Sequence, residues 1–203
     1  MRYAEDMGQC AGCHGAILAR LRRIANVCRI DFQPEQAKRW RMDPAGKLLI
    51  VWHSRTGASR AMAEAAAAGA ATAARVAGAE HVMPADLLAA AGYLFVCPEN
   101  LASMSGAMKE MFDRCYYPVL GRIEGRPYAT AIAAGSDGEG AQHQIDRIAT
   151  GWRLRRVAEP LIVCTQAQDM AAILAPKTVT PEDLARCREL GEALATGIAL
   201  GVF

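Results

Sequence analysis

From Lys47 onward, apolar runs of strand length alternate with helix-forming stretches, and this alternation constrains the fold more than any other feature of the sequence. Leu48-Leu49-Ile50-Val51-Trp52 is apolar without a break, as suits a strand covered on both faces in a parallel sheet. Tyr93-Leu94-Phe95-Val96-Cys97 is a second clear run, stopped by Pro98, and residues 128–134 form another. Residues 157–164 read as a fifth strand whose internal Pro160 marks an edge position or a bulge. A short second strand is expected at His81-Val82-Met83. Between these lie an Ala-rich helical stretch, 60–77, and a short helix, 86–91, with Asp86 near its start. A helix from Met104 carries Met104, Met108, Met111, Phe112 and Cys115 on one face, with i,i+4 pairs Lys109/Asp113 and Glu110/Arg114 on the other. A further helix spans 141–152, and a last one opens at Thr180-Pro181-Glu182-Asp183. Strands alternating with helices imply an α/β doubly wound parallel sheet, in which ligands bind outside the carboxyl ends of the strands.

The turn after the first strand has the composition of a phosphate seat. Ser54-Arg55-Thr56-Gly57-Ala58-Ser59 offers three hydroxyls, a glycine that admits close backbone approach, and the free amides and positive end of the following helix. It lacks the Lys-Ser/Thr signature of nucleoside triphosphate loops and the spaced glycines of a dinucleotide fingerprint. A phosphomonoester fits it better than ATP or NAD. A plain helix cap is the competing interpretation, since Ser and Thr are common at such positions.

Three segments together resemble the flavodoxin-like superfamily, and more closely the NAD(P)H-dependent FMN reductases and flavodoxin-like quinone reductases. They are the hydroxyl-rich turn just described; Pro98-Glu99-Asn100-Leu101-Ala102-Ser103-Met104-Ser105-Gly106-Ala107-Met108-Lys109, running on to Phe112-Asp113-Arg114; and Ala134-Gly135-Ser136-Asp137-Gly138-Glu139-Gly140-Ala141-Gln142. The Met-Ser-Gly-x-Met-Lys stretch is the most specific, and the likeness spans about residues 46–200. The resemblance implies a five-stranded parallel sheet of order 2-1-3-4-5 with helices on both faces. It also implies FMN, held at the phosphate by Ser54, Thr56 and Ser59 with the backbone of Arg55, Gly57 and Ala58. Pro98, Glu99, Asn100, Leu101, Ala102, Ser103 and Met104 would line one edge of the flavin ring, largely through main chain. Gly135, Ser136, Asp137 and Gly138 would close another side. No catalytic acid or base and no metal is implied.

The second segment departs from the family in having Asn100 and Leu101 where an aromatic often stands; either ring stacking is weaker, or Trp52, Tyr116 or Tyr117 substitutes. Glu99 reads as a solvated loop carboxylate; close to the ring, its charge would disfavour an anionic reduced flavin. The methionine face reads as core, and His53 as a structural or exposed histidine.

The expected function is an FMN-dependent oxidoreductase passing electrons from NAD(P)H to a quinone or other small acceptor. The alternative is a flavodoxin-type shuttle serving a protein partner, and a third is a sheet that has kept the fold without flavin. Shuttles tend to be strongly acidic, and here the charge argues for the enzyme. Residues 1–41 hold eight basic side chains (Arg2, Arg20, Arg22, Arg23, Arg29, Lys38, Arg39, Arg41) against four acids (Glu5, Asp6, Asp31, Glu35), a balance of +4. The whole chain is +2, which leaves −2 for the remainder. The sequence thus divides into a basic extension, 1–41, and a flavodoxin-like unit, 42–203.

The modest net charge gives no cause to expect a nucleic-acid partner, and the absence of a long apolar run gives none to expect a membrane. Seven scattered cysteines fit reduced thiols in a soluble cytoplasmic protein. Related enzymes suggest a homo-oligomer. In the extension, Cys10-Ala11-Gly12-Cys13-His14 has the form of a c-type haem attachment site without an export signal before it. Cys10, Cys13, His14 and Cys28 form an awkward zinc set, so an incidental arrangement is the default. Ile17, Leu18, Leu21, Ile24 and Cys28 mark a basic amphipathic helix. The simplest view of this segment is an upstream start codon before Met42, with flavin binding independent of it.

Overall fold

A computed structural model describes residues 46–203. The Cys-x-x-Cys-His segment, the basic amphipathic helix and the boundary at residues 41–42 lie outside the described residues.

The apolar runs become parallel strands because both of their faces find helices to cover them. β1 (Leu48–Trp52) pairs with β3 (Gly92–Pro98), β3 with β4 (Pro127–Ala134), and β1 on its other side with β2 (Ala74–Gly78). The fifth position is shared by β5 (Arg155–Arg156) and β6 (Leu161–Cys164), both parallel to β4. The order is therefore β2-β1-β3-β4-β5, with β6 beside β4, as the sequence led us to expect. Pro160, which has no N–H to give a ladder, lies in the gap that splits the expected fifth strand in two.

Successive strand residues point to opposite faces, so each run feeds two cores. Leu49, Val51, Tyr93, Phe95, Cys97, Tyr128 and Ile132 face one layer, where α2 (Pro84–Ala89), α3 (Gly106–Val119) and α4 (Glu139–Gly151) pack. Phe95, Phe112 and Trp152 form a tilted aromatic chain there, with ring centroids 4.9 and 5.2 Å apart. The expected methionine face of α3 is buried in this layer, together with Met104 just before it.

Leu48, Ile50, Leu94, Val96, Ala129, Ala131 and Ala133 face the other layer, formed by α1 (Ala58–Ala70) and α6 (Pro181–Leu200). That layer is built from small residues, and the helices approach closely. A Cβ at Gly191 would overlap the carbonyl of Ala66, and one at Gly69 would overlap that of Arg188.

Two expectations need correction. The helix after β1 stops at Ala70 rather than continuing to 77, and β2 occupies Ala74–Gly78 rather than His81-Val82-Met83. Ala-Arg-Val-Ala-Gly has little strand character of its own. It becomes a strand through five backbone partners in register, from Leu48 opposite Ala74 to Trp52 opposite Gly78. Val82 is buried but unpaired by any strand, just past the short 3₁₀ turn Ala79–His81. Between β6 and α6 the chain makes an excursion carrying α5 (Met170–Leu174), which no periodicity announces. Among the described residues, no helix is long and apolar enough to cross a membrane.

Candidate functional site at the carboxyl edge of the sheet

The order reverses between β1 and β3: from β1 the chain goes outward to β2, then returns to the far side of β1 as β3. The loops leaving these two strands flank the resulting crevice, with the loops after β4 and β6 beside them. The three segments singled out from the sequence are three of these four loops.

The first loop enters α1 through Gly57, whose φ of 101° is left-handed and lets the chain turn into the helix. Ala61 N–H donates to the Gly57 carbonyl at 3.0 Å, so the amides of Ala58, Ser59 and Arg60 have no acceptor within the helix. Ser54 Oγ accepts the Gly57 N–H at 3.1 Å and keeps its own hydrogen to donate. Ser59 is 1% exposed, and its hydroxyl is buried without a hydrogen-bond partner. The first turn of α1 carries no acidic side chain. Arg55 is exposed, whereas Arg60 is engaged with Glu64 at 2.8 Å.

The second loop is a tight hairpin. Asn100 N–H donates to the Ser103 carbonyl at 2.8 Å and Ser103 N–H to the Asn100 carbonyl at 3.1 Å, while Glu99 and Met104 pair across its base. The two tip residues, Leu101 and Ala102, both have φ of 54°. This is the conformation of a two-residue hairpin turn that normally takes Asn or Gly, and it is held here against the preference of both side chains. Leu101 is 100% exposed at the tip.

Glu99 is not the solvated carboxylate that the sequence suggested. Its Oε2 accepts the Gly138 N–H at 2.8 Å and its Oε1 the Ala141 N–H at 3.2 Å, so it caps the N-terminus of α4. A carboxylate is favoured there because it meets unpaired amides and the positive end of the helix. The third loop, 135–138, is thereby bound to the second. Gly138 has φ of 91°, and a Cβ on it would lie 2.6 Å from Ile162. Ser136 and Asp137 are exposed, and Asp137 Oδ1 accepts the Glu139 N–H at 3.2 Å.

His53 leaves β1 with its N–H on the Val96 carbonyl, and its Nδ1 lies 2.9 Å from the Ser105 hydroxyl, tying the end of β1 to the start of α3. Burial holds its pKa below the ordinary 6.5; Glu80 opposes the shift and Arg55 adds to it. Of the aromatics considered for stacking, Tyr116 and Tyr117 stand about ten residues along α3 from its start, roughly 15 Å away, against each other. Trp52 is half-buried against the α1 and α6 layer. The tyrosines therefore cannot replace an aromatic in the second loop.

Sequence reasoning missed the fourth loop. Lys177 N–H donates to the Thr56 carbonyl at 2.7 Å, strapping the β6–α6 excursion onto the phosphate-type turn. The Lys177 ammonium caps the end of α5 through the carbonyls of Ala172, Ile173 and Ala175. The signal available was positional only: every loop at a carboxyl strand end borders the crevice, whatever its composition.

Comparison with known proteins agrees with this arrangement. Residues 83–167 match the family described as NADPH-dependent FMN reductase, a span that includes the second and third loops and stops short of the first. A flavodoxin from Aquifex aeolicus (strain VF5) is 28% identical over 166 residues, 77% of this chain and 89% of that protein. Among solved structures, a flavodoxin from the domain Archaea superposes with a TM-score of 0.60 at 20% identity, over 75% of this chain and 98% of its own. The WrbA-like flavodoxin of Agrobacterium tumefaciens gives 0.58 at 19% identity, over 77% and 99%. Sheet order and crevice give the chain a flavodoxin-like fold, and its sequence is similar to a flavodoxin over most of its length and to the NADPH-dependent FMN reductases over its middle segment.

Proposed function

We propose that this protein is an FMN-dependent oxidoreductase that takes electrons from NAD(P)H and delivers them to a quinone or another small acceptor. The observation that carries the reading is the Ser59 hydroxyl, buried and unpartnered beside the three unpaired amides that open α1. A buried hydroxyl without a partner is costly unless a ligand uses it. A phosphate monoester offers several strong acceptor oxygens, and the residues present fit it. Ser54, Thr56 and Ser59 would supply hydroxyl donors, the backbone of Ala58, Ser59 and Arg60 free amides, and Arg55 a nearby cation.

The hairpin 98–104 would hold the ring edge through main chain, and the 135–138 loop would close the neighbouring side. FMN, when bound, supplies the hydride and electron chemistry. The chain's own part would be to anchor the phosphate and orient the ring. No side chain is assigned a proton transfer. The chemistry is assigned to residues 42–203, with none to the extension 1–41, and the working form is taken to be a cytoplasmic homo-oligomer.

Fluorescence titration with FMN tests the cofactor, on the native chain and on Thr56→Val, which keeps size and loses a donor. We expect submicromolar to micromolar binding by the native chain, weakened several-fold in the variant. Failure of the native chain to bind FMN would remove the flavin reading, and equal affinities would remove Thr56 from the site. Steady-state oxidation of NADPH and NADH with quinone acceptors tests the reaction. The likeness to a flavodoxin favours a second reading, an electron shuttle for a protein partner. Tight FMN binding without turnover on any quinone would select it.

A further inference from the structure

We propose that Glu99 is a positioning residue for the flavin ring, its carboxylate acting as a clasp that sets the gap between the 99–104 hairpin and the 135–138 loop. The inference rests on the FMN reading above and concerns the two loops assigned to the ring. Glu99 opens the hairpin, and its two oxygens divide between Gly138, which closes the neighbouring loop, and Ala141 in the first turn of α4. The other foot of the hairpin is held independently. Gln144 Oε1 accepts from the Ser103 hydroxyl at 2.7 Å and from the Met104 N–H at 3.1 Å.

Gly140 lets the two parts meet: a Cβ there would overlap the carbonyl of Ala102 and lie 3.1 Å from Glu99 Oε1. The hairpin therefore rests its tip on α4 and is latched to that helix on both sides. The latch has work to do, because Leu101 and Ala102 hold left-handed backbone that neither side chain favours, so an unlatched hairpin would relax to another turn. Relaxation would displace the main chain that meets the ring and leave the phosphate turn untouched. The clasp also occupies the positive end of α4 with a carboxylate, whereas the first turn of α1 has none.

The test compares FMN with riboflavin, which has the ring and no phosphate, in the native chain, Glu99→Ala, Glu99→Gln, Gln144→Ala and Ser59→Ala. Glu99→Ala and Gln144→Ala should each weaken FMN and riboflavin alike, about tenfold for the charge-assisted bonds of Glu99 and several-fold for the neutral bonds of Gln144. Glu99→Gln should fall between, since its amide nitrogen cannot accept from an N–H. Ser59→Ala should weaken FMN alone. The ratio of affinities for oxidised and reduced FMN, read as the midpoint potential, should shift in the clasp variants. Apo melting temperature and circular dichroism report the fold in each case, and Gln144→Ala serves if Glu99→Ala does not fold. Unchanged riboflavin affinity in the clasp variants, or a lowered melting temperature with unaltered affinity and potential, would overturn the clasp. A native chain that binds neither flavin would overturn the FMN reading instead.

Discussion

Replacing Ser59 by Ala should move apo stability and cofactor affinity in opposite directions. In the folded chain the Ser59 hydroxyl has been taken from water and given nothing in return. Such a group carries a desolvation cost of about 1–3 kcal/mol. Alanine is also the better helix former, by roughly 0.5 kcal/mol. The side chain stands at the second position of α1, already 1% exposed, so losing one oxygen leaves only a small void. The expected result is an apo protein more stable by about 1 kcal/mol, melting about 2–4 °C higher. With FMN, the variant forfeits one hydrogen bond to a charged phosphate, worth about 1.5–3 kcal/mol, so affinity should fall about 10- to 150-fold. Thermal unfolding of apo protein and parallel FMN and riboflavin titrations provide the readouts, riboflavin serving as the control without phosphate. An apo variant less stable by about 1 kcal/mol would mean that the hydroxyl has an internal partner after all. An FMN affinity within about twofold of the native value would mean that it does not face the phosphate.

Gly191→Ala should lower the melting temperature by several degrees, a net loss of about 1–3 kcal/mol, although Ala ordinarily adds about 1 kcal/mol inside a helix, because the new methyl overlaps the Ala66 carbonyl; a variant more stable than the native chain would refute the close packing of α1 on α6. His53 has its folded pKa depressed below 6.5 by burial, so it binds protons more readily when unfolded. Its contribution is fully present above pH 6.5 and is lost as the pH falls from there toward the folded value. Urea midpoints should therefore drop less on acidification from neutral pH in His53→Gln than in the native chain, and equal drops would clear His53 of the effect.

The residues differ in how openly they announce their roles. Leu48–Trp52 was legible as a doubly covered strand, because five consecutive apolar side chains call for two buried faces and the run is short for a helix. The hydroxyl-rich turn was legible because strand, small polar turn and helix succeed one another within a dozen residues, all of it local. Ala74–Gly78 was not legible. Alanine marks no face, and the strand exists because β1 presents free backbone groups to it in register. Glu99 was visible as an acid in a loop but not as the cap of α4, since Gly138 and Ala141 lie about forty residues further on and meet it only when β3 and β4 align. Lys177 had no local signature at all, and its hold on Thr56 depends on a crossover folding back over the sheet edge.

By itself, then, the chain's pattern of burial and turn chemistry determined a doubly wound parallel sheet and the hydroxyl-rich turn between its first strand and helix. Those features depend on neighbours close in sequence, which hydrophobic periodicity and backbone stereochemistry specify directly. Which loops are tied to one another, which helix end keeps its first amides free and which already holds a carboxylate were decided only by tertiary structure. Such bonds join groups far apart along the chain, and they form only once the packed sheet has fixed the distances between them.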